Sequence, residues 1–424
     1  MATGKKKSER IIQLPPATVV LSIPTPERPY LVERLLTGHE VALEYKARQP
    51  ELDAQFARAR KVLKKWAPKL RKMPEYNDVP ITGLSVRYRS KFGHPVSPLQ
   101  MVIAINVGRK YSQSEMDRLG IKDQQLPSVM DGVPVKILEG SFELLSPQSA
   151  VLAASTSTKP NNPLGFGDAL VGGAPIARPG HADDFGTLGV VQSVVGGTWE
   201  GLTANHVVTG NAVVEQVGPV AAGVSTTRPI GNVIRAKNSN HSHNGVTETL
   251  DCASLQLVQP FAGIPPSVFP PAGDGWIREV NAPNGALAGV PLFYSTRRVR
   301  QSDSAFKLWK FGAAMGQVIY GRVLDTDVPE FQIGSQRYRN NFTVENFSDS
   351  NNDFLLPGDS GSLLVAEALV NGNRAIVAIG ILFARISNGL RVGLACNVSH
   401  VLDAITPTIP GERLIDLWDL PLED

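Results

Sequence analysis

The sequence predicts a mostly β protein in which a small α+β domain precedes a larger, strand-rich domain. From Tyr30 to Met73 apolar residues recur at spacings of three and four, the period of an amphipathic helix. Between Pro80 and Glu143 short runs alternate apolar and polar residues, as half-buried strands do. From Thr187 onward, short apolar runs are separated by Gly, Pro, Asn and Ser without helical periods, which is typical of an antiparallel barrel or sandwich.

The first region divides into helices and a short sheet. Pro50 is expected to begin a second helix, because proline fits the first turn of a helix far better than its interior, and Pro68 is expected to kink or end it. Three strands are predicted, at Gly83–Arg89, Gln100–Val107 and Val133–Leu138. The third follows a turn at Met130-Asp131-Gly132.

Composition narrows the class of protein. The chain has 424 residues, of which 42% are hydrophobic and 19% charged, and its length favours two or three domains. No apolar run approaches the roughly 20 residues of a membrane span, and Ile11–Ile23 is too interrupted by prolines for a secretory signal. Two cysteines, Cys252 and Cys396, are too few for a disulfide framework. These features predict a cytoplasmic location without membrane association.

Composition shifts along the chain suggest where domains begin and end. Lys and Arg outnumber Asp and Glu two to one in residues 1–75, so the basic excess belongs to the N-terminal part alone. A Ser-, Pro- and Gly-rich stretch before the strand-rich region reads as a linker. The expected divisions are a basic arm 1–29, an α+β domain 30–145, a linker 146–180, a strand-rich domain 181–405 and a tail 406–424.

The run Leu356–Leu364, L-P-G-D-S-G-S-L-L, holds the first candidate for chemistry. Gly358 and Gly361 allow a tight turn around Ser360, and the apolar residues that follow predict a strand anchoring that turn. A serine hydroxyl needs an adjacent base to act as a nucleophile, and the base needs an orienting group. Of seven histidines, His206 has the most suitable surroundings, L-T-A-N-H-V-V, in which small and apolar residues flank the imidazole.

T-A-x-H-V together with P-G-D-S-G-S-L resembles the paired signatures of trypsin/chymotrypsin-like serine peptidases. In that family an aspartate in a D-x-A-x-x-x-L stretch lies between the other two members, and Asp251 stands at the start of D-C-A-S-L-Q-L. The resemblance implies two β-barrels and a triad of His206, Asp251 and Ser360. It also implies an oxyanion hole made by the backbone N–H groups of Gly358 and Ser360.

The stretches G-x-x-V-x-Y at Gly83–Tyr88 and D-G-V-P-V at Asp131–Val135 are similar to an extra N-terminal α+β region found in bacterial and plant members of this family. This looser resemblance implies a regulated intracellular endopeptidase rather than a digestive one. Residues 30–145 would then dock a regulatory protein partner, and assembly into a homo-oligomer stays open. In secreted members, the aspartate equivalent to Asp359 accepts a freed N-terminus, and no activation cleavage is marked here.

The resemblance also suggests a substrate pocket. The family position six residues before the nucleophile falls on Phe354, and Ile379–Ala384 would form the pocket wall and an edge for an extended substrate. The candidate pocket residues are Phe354, Leu382, Phe383 and Ala384. They predict a preference for apolar or small residues, because Phe354 replaces an acidic anchor unless Asp353 takes that part.

Other functions receive less support from the sequence. A catalytically silent member of the fold, acting as a binding or scaffold module, is the main alternative. The lysines of residues 61–72 are expected to be a solvated helix face rather than a nucleic-acid site, because no recognised nucleic-acid motif accompanies them. No cofactor or metal is expected: His241 and His243 have no Cys or acidic ligand set beside them in the sequence.

Overall fold

A computed structural model gives the structure of the protein. It describes residues 33–72, 81–91, 94–109, 114–115, 118, 126–140, 142–144, 170, 172–193, 198–210, 213–221, 224–258, 292–305, 307–314, 318–346, 354–386, 392–405 and 414–416. The predicted arm, residues 1–29, lies outside the described residues, as does most of the predicted linker. Among the described residues, no helix has both the length and the apolar character needed to cross a membrane.

The N-terminal region is built on helix α1, Gly38–Lys72. The helix begins with a capping box, in which Thr37 and Glu40 exchange hydrogen bonds through their side chains and backbone N–H groups. It is broken at Arg48, which has φ −121° and ψ 18°, two residues before Pro50. The predicted second helix is therefore confirmed, whereas Pro68 lies inside the helix without ending it.

In the described part of this region, eight strands accompany the helix. They are β1 Arg34–Leu35, β2 Ile81–Tyr88, β3 Ser90–Lys91, β4 His94–Ser97, β5 Met101–Val107, β6 Val129–Met130, β7 Val133–Glu139 and β8 Phe142–Leu144. The three predicted strands are confirmed as β2, β5 and β7, and the predicted turn joins β6 to β7 with positive φ at Asp131 and Gly132. Helix α1 packs its buried stripe, which includes Leu52, Phe56 and Leu63, on β2 and β5.

The next seven strands form the first barrel. They are β9 Pro175–Ala177, β10 Gly186–Thr187, β11 Val190–Ser193, β12 Trp199–Thr203, β13 Val213–Ala221, β14 Val224–His243 and β15 Val246–Leu257. Their order in the sheet is β10-β9-β13-β14-β15-β12-β11. Only two residues separate β10 from β11, and their N–H groups donate to the carbonyls of Ala174 and Leu202. Segments β10 and β11 thus act as two halves of one strand, and the sheet closes on itself as a six-stranded antiparallel barrel.

The second barrel follows. Its region contains β16 Leu292–Ser295, β17 Lys307–Phe311, β18 Val318–Val328, β19 Glu330–Ile333, β20 Gln336–Tyr338, β21 Asn341–Asn346, β22 Leu363–Val370, β23 Asn373–Ile386, β24 Val392–Asn397 and β25 Leu414–Ile415. Antiparallel pairs run β22-β17-β18-β21-β24-β23, and β23 pairs back to β22, so six strands close a ring. The predicted mostly β, two-barrel architecture is confirmed.

The N-terminal region and the second barrel share strands. The hairpin β19–β20 joins the N-terminal sheet, whose order is β20-β19-β2-β5-β7-β6, through the pairs Glu330↔Leu84 and Phe331↔Gly83. Conversely, β8 of the N-terminal region pairs antiparallel with β23 of the second barrel. The described residues of the α+β region are therefore integrated with the second barrel and do not form a separate sheet.

Two predicted boundaries need correction. The strand-rich domain begins at β9, Pro175–Ala177, inside the predicted linker 146–180, because this three-residue strand among Gly and Pro carries no periodic signal. The predicted tail 406–424 contains β25, which returns to pair with β16 in parallel. Two short α-helices complete the described fold: α2, Asn205–Val208, in the first barrel, and α3, Val398–Ile405, which packs on β14, β15 and β23.

Candidate active site

The turn around Ser360 is shaped by the two glycines that flank it. Gly358 has φ +101° and Gly361 has φ +94°, a region that disfavours side chains with a Cβ. A Cβ at Gly361 would lie 2.1 Å from the carbonyl oxygen of Thr187, and one at Gly358 would lie 2.6 Å from the Phe185 ring. The turn is thus pressed against the first barrel and leads directly into β22.

Thr187, from the first barrel, holds this turn in place. Its N–H donates to the carbonyl of Ser360 at 2.6 Å, and its hydroxyl donates to the carbonyl of Gly358 at 2.8 Å. Thr187 is itself held by the hydroxyl of Thr203, which donates to its carbonyl. Sequence reasoning missed Thr187, because a single threonine in a short strand carries no signal of a contact 171 residues away.

The imidazole of His206 lies beside Ser360. Helix α2, Asn205–Val208, follows β12 after a single residue and carries His206 at its second position. The Oγ of Ser360 is 2.7 Å from Nε2 of His206 and 3.1 Å from the carbonyl oxygen of Phe383. The hydroxyl proton therefore has the imidazole nitrogen as its nearer acceptor.

Asp251, on β15, holds the other side of His206. Its Oδ2 lies 2.9 Å from Nδ1 of the imidazole, and its Oδ1 accepts the backbone N–H of His206 at 3.0 Å. Asp251 is fully buried, whereas the His206 side chain retains 12% of its exposure. A carboxylate at Nδ1 favours the tautomer with the proton on that nitrogen, which leaves Nε2 free to accept the Ser360 proton. The three predicted triad residues are thus brought together across the two barrels.

The N–H groups of the predicted oxyanion hole lack the backbone acceptors that the neighbouring N–H groups of the described turn have. The N–H of Asp359 donates to the carbonyl of Leu356, that of Gly361 to Leu382, and that of Ser362 to Asp359. Within the described part of the chain, the N–H groups of Gly358 and Ser360 have no acceptor. Two donors near the nucleophile are therefore available to an oxygen atom that carries developing negative charge.

A buried ion pair lies beneath the turn. The ammonium of Lys310, on β17, contacts Oδ2 of Asp359 at 2.5 Å, and neither side chain is exposed. Burial lowers the pKa of Lys310, and the charge of Asp359 opposes that shift. Asp359 also accepts the N–H groups of Leu356 and Ala314. Asp359 thus has a buried cationic partner from within the chain.

Lys310 could have been suspected from the sequence. In K-L-W-K-F, Lys310 shares the face of Leu308 on β17, and Leu308 belongs to the core of the second barrel. A lysine on a core-facing strand position requires a buried partner, and only the fold identifies Asp359 as that partner. Its ammonium also lies 5.4 Å from the centre of the Phe354 ring.

The predicted pocket residues fall into two groups. Phe354 and Leu382 are fully buried and belong to the core of the second barrel. Phe383 and Ala384 belong to the other large core cluster, where Phe383 stacks on Tyr338 with ring centroids 5.2 Å apart. A lining role for these four residues in substrate binding stays a prediction.

The remaining candidate groups have structural partners. His241 and His243 both contact the carboxylate of Asp403, and among the described residues no group of three or more His, Cys, Asp or Glu is placed to hold a metal ion. Cys252 and Cys396 are buried free thiols, and burial raises the pKa of each. Raised pKa values keep these thiols protonated and unreactive.

Comparisons with known proteins return structures of proteases. No family model matches the chain, and no curated protein matches it. Similar solved structures include a glutamic acid specific serine protease (18% identity, 55% of this chain and 97% of that chain, TM-score 0.35). Others are an alpha-lytic protease homolog, N4 (15%, 56% and 97%, TM-score 0.32), and the MamO protease domain from Magnetospirillum magneticum (13%, 55% and 95%, TM-score 0.29).

Proposed function

We propose that the protein is a serine endopeptidase, in which Ser360 is the nucleophile, His206 the general base and acid, and Asp251 the orienting group. The observation that carries this proposal is the unbroken hydrogen-bonded series from Asp251 through His206 to Ser360, with contacts of 2.9 and 2.7 Å. A buried carboxylate, an imidazole and a serine hydroxyl in this order form an activated nucleophile.

In the acylation half of the reaction, the Oγ of Ser360 bonds to the carbonyl carbon of a peptide, and its proton passes to Nε2 of His206. The imidazolium then gives that proton to the nitrogen of the departing amine, the C–N bond breaks, and an ester to Ser360 remains. In the second half, water attacks this ester, His206 takes the proton of the water, and it returns that proton to Ser360. Asp251 remains ionised throughout.

The N–H groups of Gly358 and Ser360 would stabilise the negative charge that develops on the carbonyl oxygen. Removing one such donor from an acyl-transfer enzyme typically costs about 10²–10³ in rate. Lys310 supports the same turn by neutralising Asp359, so the turn keeps its shape without a cleaved N-terminus. Both features favour a site that is formed in the intact chain.

We propose protein or peptide substrates with an apolar or small residue at the acylated position. The apolar run Phe354-Leu355-Leu356 before the turn supports this preference, since it supplies no anchor for a basic side chain. Digestion of a mixed peptide library, followed by mass spectrometry of the new ends, measures the preference. Cleavage mainly after Arg or Lys would contradict it.

We further propose a regulated enzyme of the cytoplasm, in which the N-terminal α+β region takes part in the regulation. The pairing of β8 with β23, next to Phe383, supports a direct connection between that region and the site. The two buried free thiols fit a reducing compartment.

A fluorophosphonate probe tests the proposal that the site is chemically competent. Attack by Ser360 Oγ would form a P–O bond and release fluoride, so the wild-type protein should gain the probe mass at Ser360 while a Ser360→Ala variant gains none. A folded wild-type protein that takes up no probe would instead favour a catalytically silent binding or scaffold module.

A further inference from the structure

A short strand of the chain lies along the edge next to the nucleophile. Strand β8 pairs antiparallel with the end of β23, with Leu144 opposite Ala384, Glu143 opposite Arg385 and Phe142 opposite Ile386. The residue of β23 that precedes this paired segment is Phe383, whose carbonyl oxygen lies 3.1 Å from the Oγ of Ser360. The pairing therefore starts one residue from the contact with Ser360.

The side of β23 that β8 occupies is the side that faces the Ser360 turn. Strand β24 pairs with β23 from Gly380 to Arg385, so one edge of this segment is already taken. On the other edge, β22 pairs with β23 as far as Leu363↔Ile381, and β22 starts three residues after Ser360. Strand β8 thus continues that edge beyond the nucleophile. An extended peptide whose carbonyl reaches Ser360 would use this edge to pair as an added strand.

Strand β8 also runs in the direction of such a peptide. Its residue numbers rise toward Phe383, so its C-terminal end points to the Ser360 side of the edge. The acyl part of a peptide substrate likewise approaches the nucleophile with its C-terminal end. Strand β8 therefore has the orientation expected of a peptide substrate paired along this edge.

Side chains fix β8 in this place. The Phe142 ring is 5% exposed and packs on Phe331 with ring centroids 4.7 Å apart. A Cβ at Gly83 would lie 2.4 Å from the Phe142 ring, so the absence of a side chain at Gly83 makes room for Phe142. Glu143 accepts the Arg385 guanidinium at 2.7 Å. The strand is consequently packed against both the N-terminal sheet and the second barrel.

We propose that β8 is a tethered competitor, which in the folded chain occupies the edge Ala384–Ile386 along which an extended substrate would pair. This inference rests on the proposed peptidase function. A substrate segment must displace β8, and one with the apolar-acidic-apolar pattern of Phe142-Glu143-Leu144 would replace its contacts, with its acidic residue on Arg385.

The competitor would reduce activity because β8 leaves the edge open in only a fraction of the molecules. A site that is open in only a fraction of molecules binds an extended substrate more weakly by that fraction, and weakening the competitor restores the loss. A small reagent that acylates or phosphonylates Ser360 without pairing along β23 should be insensitive to β8. Turnover of an extended peptide therefore reports whether β8 blocks the edge, whereas labelling by the small reagent reports whether Ser360 is reactive.

The test compares four full-length proteins: the wild type, Phe142→Ala, Glu143→Ala and the control Glu367→Ala. Glu367 forms a similar ion pair with Arg374, also on β23 but away from β8. Each protein reacts with a fluorophosphonate probe and, separately, with a fluorogenic pentapeptide carrying an acidic residue two places before its acylated residue.

We expect equal probe labelling in all four proteins. Peptide kcat/KM should rise about tenfold or more in Phe142→Ala, rise less in Glu143→Ala and stay at the wild-type value in Glu367→Ala. Equal labelling with peptide turnover unchanged in both β8 variants would overturn the inference and leave the peptidase function standing. If no protein is labelled, the proposed function itself fails.

Should Phe142→Ala not fold, Glu143→Ala decides the question, because its side chain is 30% exposed and its truncation leaves the aromatic packing intact. Amide hydrogen exchange at Ala384–Ile386 supplies a second readout. Faster exchange there in Glu143→Ala than in Glu367→Ala supports the inference, and identical exchange contradicts it.

Discussion

The ammonium of Lys310 lies 2.5 Å from the carboxylate of Asp359, with both side chains fully buried beneath the Ser360 turn. This contact places a positive charge, supplied by β17, at the residue that precedes the proposed nucleophile. The carboxylate also accepts the backbone N–H of Ala314, just after β17, and that of Leu356 within the turn, so it connects the turn to the second barrel through Lys310 and Ala314. The shape of the turn therefore depends on a lysine 49 residues away in the sequence.

Lys310→Met should both destabilise the protein and reduce labelling of Ser360. Loss of one partner leaves a buried carboxylate unpaired, which typically costs about 3–5 kcal/mol. Chemical unfolding and the rate of fluorophosphonate labelling measure the two effects. Lys307→Met, on the same strand but partly exposed beside Tyr320, serves as the control and should change neither by a comparable amount. Wild-type labelling in Lys310→Met would contradict the positioning role.

Asp251→Asn should lower the rate of acylation by about 10⁴ while leaving the fold intact. An amide at this position presents N–H to Nδ1 of His206, which reverses the tautomer and places a proton on Nε2. That nitrogen then cannot accept the Ser360 proton. Asp403→Asn changes a second His–Asp contact, with His241, that lies outside the site, and its acylation rate should equal that of the wild type. An active Asp251→Asn variant would remove Asp251 from the mechanism.

Gly361→Ala should lower the free energy of unfolding far more than Gly210→Ala does. Both glycines have positive φ, so an alanine at either one is strained by about 1 kcal/mol. A Cβ at Gly361 meets the Thr187 carbonyl at 2.1 Å, whereas no atom of the described residues lies within 4 Å of a Cβ at Gly210. Unfolding free energies and probe labelling of the two variants make the comparison. Equal losses of unfolding free energy in the two variants would mean that the Ser360 turn does not pack against the first barrel as described.

Protonation of His400 should destabilise the fold in mild acid. Burial lowers the pKa of His400 from 6.5 to about 4, and nearby Arg298 adds to this shift. Burial also raises the pKa of Glu248, 3.5 Å away, to about 8, so this carboxyl offers little counter-charge. The unfolded chain binds this proton more tightly, hence the contribution of His400 lowers the stability of the fold as the pH falls from 6.5 to about 4.

Unfolding free energies of His400→Gln and the wild type, measured between pH 7.5 and pH 4, test this linkage. The difference between the two should change with pH across the window in which the unfolded and folded pKa values differ. His181→Gln, at an exposed histidine, is the control and should follow the wild-type profile. Parallel profiles for His400→Gln and the wild type would contradict the assignment.

The sequence indicated much of the fold because its signals are local. The helical period, Pro50 and the turn at Asp131-Gly132 are each read within a few residues, and the structure has the corresponding helix break, strands and turn. The residues of the proposed triad were likewise predicted from local motifs, since a glycine-flanked serine turn and a histidine in an apolar run have short signatures. Their chain order then suggested Asp251.

The contacts that join the N-terminal region to the second barrel could not be predicted from local sequence patterns. Strand β8 is three residues long, and its partner lies 242 residues further along the chain. The hairpin β19–β20 gives no sign in the sequence that it joins the N-terminal sheet. Such pairings are decided by tertiary packing and not by periodicity. The partners of Lys310, Thr187 and Arg385 were missed for this reason.

Pre-steady-state hydrolysis of a p-nitrophenyl ester tests the central claim most directly. This small substrate does not need the β23 edge, and acylation of Ser360 releases p-nitrophenol before the slower attack of water on the ester. We predict a burst of about one p-nitrophenol per chain that is absent in Ser360→Ala and strongly slowed in His206→Ala. A folded wild-type protein with no burst, or a Ser360→Ala variant that retains it, would contradict the assignment of Ser360 as the nucleophile of a serine peptidase.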